Sequence, residues 1–195
     1  MTTTEAERTR SDSGNAVIGT GAAIGAAAGF AAGLFVGLAR KLAVQAPTAL
    51  AGDWDQALAA EHAATLKIFD ALEATTEADV SKRTVLLTQL KHALGKHALQ
   101  EENAVYATMR DKAMTEGADH LNHEHGYVKQ FLFDLTELSR SDAQWLPKLR
   151  EFRMMIEKHM REEEQDLFPK LKAQLSADEN KHLTVMMNRE GLKLA

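Results

Sequence analysis

Four long segments of this chain carry apolar residues at the spacing of an α-helix, and short polar stretches separate them. A helix with one apolar face buries that face against other helices, and short connections make successive helices antiparallel neighbours. The chain has only three prolines in 195 residues, so most of each segment is free of helix breakers. The sequence therefore predicts an all-α, up-down-up-down four-helix bundle, with helices at about Asp53 to Ala74, Asp79 to Met114, Thr115 to Ser139 and Ser141 to Leu175.

Start and stop signals mark the ends of these segments. Asp53 is placed to cap the first helix. Pro169 is expected to bend or loosen the end of the fourth. A last short helix is predicted to start at Ser176, where Glu179 completes a capping box, and to stop near Gly191.

The N-terminal part of the chain differs in character from the rest. Residues 1–15 are polar and are expected to form a flexible tail. Residues 16–39 contain no charged side chain, and as a helix they could cross the roughly 30 Å hydrocarbon layer of a membrane. Residues 42–51, which include Pro47, are interpreted as a linker to a bundle domain at 52–195. Glycines recur at every fourth position and would form a bare ridge along one side of the apolar helix, at Gly21, Gly25, Gly29, Gly33 and Gly37.

We interpret residues 16–41 as a glycine-zipper helix that associates with copies of itself in a membrane. Glycines in a water-exposed helix would cost about 1 kcal/mol each relative to alanine, whereas a membrane enforces the helix. Arg40 and Lys41 close the segment and place the bundle on the cytoplasmic side. The alternative is a soluble cytoplasmic oligomer with the same ridge in its core. Both interpretations predict a homo-oligomer.

Composition excludes several classes of function. The chain has no cysteine, so disulfides, zinc–thiolate sites and iron–sulfur clusters are excluded, and any metal must be held by nitrogen and oxygen. A net charge of −5 gives no support for a nucleic-acid partner.

Ionisable side chains interrupt the apolar faces near the middle of the four predicted helices. Burying a carboxylate without a partner costs several kcal/mol, and no Lys or Arg lies in the central part of these faces. A metal cation is the simplest compensation, and imidazole together with carboxylate suits iron, manganese or zinc. The candidate ligands are His62, His97, Glu101, His125, His159 and Glu163.

These candidates are repeated along the chain. Two His-x-x-x-Glu motifs, His97–Glu101 and His159–Glu163, each place both side chains one turn apart on one helix face. A further histidine precedes each motif at nearly the same distance, His62 by 97 − 62 = 35 residues and His125 by 159 − 125 = 34. Two helix hairpins with the same ligand set would surround two metals equivalently.

Together with the Glu-Glu-x-x-Leu-Phe-Pro stretch at 163–169, these motifs resemble the hemerythrin-like family over residues 52–175. The resemblance implies a four-helix bundle with a non-heme centre of two iron ions, bridged by an oxo or hydroxo group. It also implies that His62 and His97 serve one iron, that His125 and His159 serve the other, and that Glu101 and Glu163 bridge them.

The sequence departs from the oxygen carriers of that family. Those carriers have a fifth histidine in a His-x-x-x-His pair on the third helix, whereas Leu121 and Lys129 stand at that spacing around His125. Their last carboxylate is an Asp five residues after its histidine, and here Glu163 follows after four. The set resembles a divergent branch with more open coordination positions. Side chains that could fill one are Glu61, Glu102, Glu124 and Tyr106.

Open coordination positions on the metals argue against a protein that only carries O2 reversibly. The resemblance, with these departures, implies a di-iron protein that binds O2 or a related small oxidant as a sensor or store. One alternative is an enzyme that reduces peroxide, O2 or NO; another is a structural assembly in which the metal only holds the bundle together. His120 and His123 are expected at the surface or as partners of the ligands, and His92 in solvent.

Overall fold

The computed structural model describes residues 50–194. The predicted tail, the glycine-zipper helix at 16–41 and most of the linker lie outside the described residues. Within residues 50–194, no helix combines the length and apolar character that crossing a membrane requires.

The described part of the chain is an all-helical bundle, and it contains no strand. Two π-helical segments, Glu101–Val105 and Glu163–Leu167, interrupt long helices. The helices are α1 (Trp54–Glu73), α2 (Val80–Gln100), α3 (Tyr106–Asp111), α4 (Thr115–Glu137), α5 (Trp145–Glu162), α6 (Phe168–Gln174) and α7 (Ala177–Leu194).

Helix α1 starts where the sequence predicted. Asp53 is its N-cap, and the Asp53 backbone N–H donates to Gln56 Oε1 at 3.3 Å. Gly52 precedes the cap with a φ of +122°, a conformation that side chains rarely adopt. This backbone conformation requires a glycine, and a Cβ at Gly52 would in addition displace the Gln56 side chain, whose Oε1 lies 2.0 Å from that position.

Two predicted helix ends were wrong. The fourth long helix begins at Trp145 rather than Ser141, because a turn closed by Asp142 precedes it and Pro147 then falls in the first turn, where no N–H is needed. The last helix starts as predicted, with reciprocal hydrogen bonds between Ser176 and Glu179. It continues past Gly191 to Leu194, since Gly191 is buried inside the helix and does not end it.

The core has two apolar clusters, one on each side of the middle of the bundle. On α1, Leu58 belongs to one cluster and Phe69 to the other, and His62 lies between them. The same order holds on α4, where His125 lies between Leu121 and Val128. The polar candidates therefore occupy a layer that apolar packing seals from both sides.

Helix α7 covers one side of this bundle. It packs against α1, α2 and the first π segment. The backbone N–H of Trp54 donates to Thr184 Oγ1 at 3.0 Å, and the Trp54 indole N–H donates to Asn180 Oδ1 at 2.9 Å. These bonds fix the start of α1, the helix that carries His62.

Candidate metal centre

Both π segments begin at a candidate ligand. The Tyr106 N–H bonds back to the Glu101 carbonyl, and the Phe168 N–H bonds to the Glu163 carbonyl. Pro169 follows the second segment, but Ala107 stands at the equivalent position after the first, so proline is not the common cause. Such wide turns are rare and occur mostly at functional sites. Here each of them begins at a fully buried glutamate, Glu101 or Glu163.

The structure brings all six candidates together in the sealed layer. They form two groups of four, and within each group the ligand atoms lie within 4.8 Å of one another. Glu101 and Glu163 belong to both groups. His62 and His97 complete the first group, and His125 and His159 complete the second. Every member is buried, and both glutamates have no solvent exposure.

The Nε2 atoms of the four imidazoles point toward the carboxylates. His97 Nε2 lies 3.1 Å from Glu101 Oε1, and His125 Nε2 lies 3.3 Å from Glu101 Oε2. Glu163 Oε2 lies 3.4 Å from His62 Nε2 and 3.5 Å from His159 Nε2. Each glutamate therefore faces one histidine from each hairpin.

A glutamate holds the outer nitrogen of each histidine. Because a carboxylate oxygen accepts hydrogen bonds, each contact favours a proton on Nδ1 and leaves Nε2 facing inward, where its lone pair is available to a metal once that nitrogen carries no proton. The four contacts are His62 Nδ1–Glu164 Oε1 at 2.7 Å, His97 Nδ1–Glu61 Oε2 at 3.2 Å, His125 Nδ1–Glu102 Oε1 at 2.9 Å and His159 Nδ1–Glu124 Oε2 at 2.8 Å.

These lone pairs converge. His62 Nε2 and His97 Nε2 are 2.8 Å apart, a distance at which two lone pairs repel unless a cation or a proton lies with them. Among the described residues, Glu101 Oε1, His159 Nε2 and Glu163 Oε2 are buried without a hydrogen-bond partner. Buried polar atoms are rarely left unpaired. The donor set therefore fits a metal ion.

The pKa shifts of the site residues also favour a bound cation. Burial raises the pKa of Glu101, but the His97 and His125 imidazoles outweigh it and hold that pKa well below its usual value. Burial lowers the pKa of His97, yet Glu101 and Glu61 raise it well above the ordinary value. Burial likewise lowers the pKa of His125, but Glu101 and Glu102 raise it to about 9. The site thus favours positive charge on its imidazole side, which a proton or a metal cation can supply.

The sequence comparison agrees with this geometry. The profile of the hemerythrin HHE cation-binding domain matches residues 55–171, more than half of the chain. The chain belongs to this family. An uncharacterized hemerythrin-like protein of Schizosaccharomyces pombe is 30% identical over 114 residues, which are 57% of this chain and 56% of that protein. The chain thus spans little more than half the length of this relative. No solved structure matches significantly.

Within this hemerythrin-like centre, Tyr106 breaks the symmetry of the repeat. Its hydroxyl donates to Glu163 Oε1 at 2.7 Å and lies 3.2 Å from His125 Nε2. The equivalent residue in the second hairpin is Phe168, which packs against Trp54 with ring centroids 5.1 Å apart. Tyr106 therefore places a proton donor on one side of the centre.

The other side chains that were predicted to fill an open coordination position lie away from the inward-facing ligand atoms. Glu61, Glu102 and Glu124 contact Nδ1 atoms on the outer side of the imidazoles, away from the converging Nε2 atoms. Tyr106 is thus the member of that predicted set whose side chain reaches the inward-facing ligand atoms.

Sequence reasoning missed a buried lysine. Lys96 is 6% exposed, and its Nζ lies 2.7 Å from Glu61 Oε1. It neutralises a carboxylate that holds His97, so one of the outer glutamates carries its own counter-charge. Helical periodicity did not indicate this ion pair, because Lys96 lies beside the apolar face of its helix rather than on it.

The remaining histidines are at the surface. His92 is exposed, as predicted. His123 is also exposed and contacts the Tyr127 ring edge-on, with centroids 5.1 Å apart. His120 is exposed too, and it contacts Glu124 and Glu162.

Proposed function

We propose that the hemerythrin-like domain of this chain holds two iron ions and binds O2 or a related small oxidant there, as a sensor or store. In this proposal His62 and His97 bind one iron, and His125 and His159 bind the other. Glu101 and Glu163 bridge the two ions, and an oxo or hydroxo group completes the bridge.

The observation that carries the proposal is the sharing of both glutamates. The two oxygens of Glu101 face histidines of different hairpins, at 3.1 Å and 3.3 Å. A single metal would need only one of the two groups of four, whereas the second group, built from the same glutamates, supports a pair of ions. Four imidazoles and two carboxylates suit iron, and bound iron would supply reversible electron transfer to O2.

The protein offers space for a small ligand beside the imidazoles. A cavity of about 10 Å³ at the centre has room for one molecule the size of water. Apolar residues complete its lining, which favours an uncharged gas over an ion. Besides the four histidines, the lining residues are Leu94, Ala98, Val128, Ile156 and Met160.

A surface groove lies next to this cavity. It has a volume of about 250 Å³ and runs between α1 and α5. His62 and Met160 line both the groove and the cavity. Because a methionine side chain is unbranched and flexible, motion of Met160 would open a path for a small molecule.

An enzyme that reduces peroxide, O2 or NO is the second candidate, and Tyr106 favours it. A buried hydroxyl 2.7 Å from Glu163 could deliver the proton that reduction consumes. Turnover also requires electrons, and the chain has no cysteine that could relay them as a thiol. Binding without turnover therefore remains our first proposal.

The experiment loads purified protein with Fe²⁺ under argon, measures iron per chain, and follows the visible spectrum after mixing with O2. We expect two irons and an absorption change that persists and reverses when O2 is removed. Continuous consumption of added peroxide would support the enzyme instead. His125→Ala should lose iron, whereas the exposed control His123→Ala should keep it; equal iron in both variants would refute the ligand assignment.

We also propose the up-down-up-down order of the four long helices, which the short connections support.

For residues 16–41 we propose a glycine-zipper helix that joins copies of the chain at a membrane, with the iron domain on the cytoplasmic side, or in a soluble oligomer. Assembly could be the chain's main role, with the metal stabilising the bundle. Gly29→Leu should reduce oligomer size in detergent without changing iron content; an unchanged size would count against the ridge.

A further inference from the structure

A second cluster of metal-ligating side chains lies on the surface of α4 and α5. His120 Nε2 is 3.3 Å from Glu162 Oε1 and 3.6 Å from Glu124 Oε1. One ligand atom from each residue lies within 4.8 Å of the other two. His120 and Glu124 are one turn apart on α4, and Glu162 is the last residue of α5, so two helices fix the arrangement.

The internal repeat shows that the buried centre does not require this cluster. In the first hairpin Ala57 stands at the position of His120, and Gln100 stands at that of Glu162. The first hairpin contributes the same histidines and glutamate to the centre without these two donors. The exposed imidazole and carboxylate are therefore additions specific to the second hairpin.

Glu61 in the first hairpin and Glu124 in the second are equivalent residues, and their lysine partners neutralise them differently. Glu61 receives the buried Lys96 at 2.7 Å, whereas Lys158 lies 3.6 Å from Glu124 Oε1 and its side chain is 66% exposed. An exposed lysine holds such a contact weakly and can move into water. Glu124 Oε1 can thus accept another cation.

We propose that His120, Glu124 and Glu162 bind a divalent first-row cation at the surface, with Zn²⁺ as the best match, separately from the buried centre. One imidazole nitrogen and two carboxylate oxygens are donors that Zn²⁺ takes in proteins, and water completes its coordination. Glu124 contributes to both places, because its Oε2 accepts a hydrogen bond from His159 Nδ1 at 2.8 Å while its Oε1 faces His120.

The test is a calorimetric titration of the iron-loaded full chain with Zn²⁺. Glu162→Gln copies the residue of the first hairpin, and His120→Ala removes the imidazole. Each should weaken one Zn²⁺-binding event by at least about tenfold, since each removes a direct ligand. Lys158→Ala should strengthen the same event because the competing cation is gone.

Exposed histidines that lie outside the cluster provide the controls. His123→Ala and His92→Ala should bind Zn²⁺ as the parent does. Iron content, measured on every variant, reports separately on the buried centre. If Glu162→Gln and His120→Ala titrate like these controls, or if the parent shows no event that they lose, the surface site does not exist.

Discussion

The hydroxyl of Tyr106 lies 2.7 Å from Oε1 of Glu163, a residue 57 positions later on another helix. Both side chains are fully buried. The bond therefore joins the two hairpins inside the centre, at a position where the repeat has a phenylalanine in the other half.

Tyr106→Phe should keep the fold and the metal but change the response to the oxidant. The substitution leaves the buried Glu163 Oε1 without this hydrogen-bond donor, so we expect a loss of about 1–3 kcal/mol in the free energy of unfolding. It should also shift the visible spectrum of the iron-loaded protein. Urea unfolding and absorption spectra measure the two effects. Tyr127→Phe, at an exposed tyrosine, is the control, and identical spectra for Tyr106→Phe and the parent would show that the hydroxyl does not act on the centre.

Glu101→Gln and Glu163→Gln should each reduce bound metal below two ions per chain. An amide keeps the shape but removes the charge that offsets two cations and one of the oxygens that would bridge them. Metal analysis after gel filtration is the measurement. The exposed Glu137→Gln should bind metal as the parent does. Full occupancy in both buried variants would contradict the bridging role.

The outer glutamates should differ in their effect on stability. Glu61→Gln and Glu124→Gln each weaken the hydrogen bond that orients a histidine, and metal affinity should fall by about 10- to 100-fold in both. Glu61→Gln also removes the buried ion pair with Lys96, so it should lower the unfolding free energy more than Glu124→Gln does. Chelator competition and urea unfolding separate the effects. Equal stability of the two variants would mean that Lys96 finds an equivalent partner.

Metal affinity should rise with pH. In protein stripped of metal, the His125 pKa is about 9, so at neutral pH a proton occupies the nitrogen that a metal needs. Affinity should therefore increase from pH 6 to pH 9, with protons released on binding. Because the folded pKa is raised, the stripped protein gains stability that is full below pH 6.5 and lost as pH rises through 9. Urea midpoints and proton release measure both trends; a stripped protein that is more stable at pH 9.5 than at pH 6 would contradict them.

Met160 should control access to the cavity. Met160→Ala should speed the reaction of the iron-loaded protein with O2, and Met160→Phe should slow it, because the side chain lines both the groove and the cavity. Stopped-flow absorption measures the rate. Met154→Ala, on the exposed side of α5, is the matched control. Rates that do not change between Ala and Phe at position 160 would place the path elsewhere.

The six inward residues could be found from sequence because helical periodicity fixes which face a residue occupies. His97 and Glu101 share a face at any plausible helix boundary, and the repeat then locates their counterparts. The family resemblance over 52–175 is confirmed by the match at 55–171.

The outer glutamates were harder to assign. Glu61 and Glu102 each stand directly beside a candidate ligand in sequence, so they lie about 100° around the helix from it. Whether such a residue reaches water or a neighbouring helix depends on how the helices pack, which periodicity does not report. No sequence pattern predicted the π segments either, because the residue two positions after the segment is alanine in one case, Ala107, and proline in the other, Pro169.

The shared glutamates have a further consequence for how the protein assembles. The group around His62 requires Glu163, and the group around His159 requires Glu101, so neither hairpin alone carries a complete ligand set. Under the proposed ligand assignment, metal binding and docking of the two hairpins would therefore be thermodynamically coupled. A lone hairpin of this kind could capture a metal pair only by pairing with a second copy of itself.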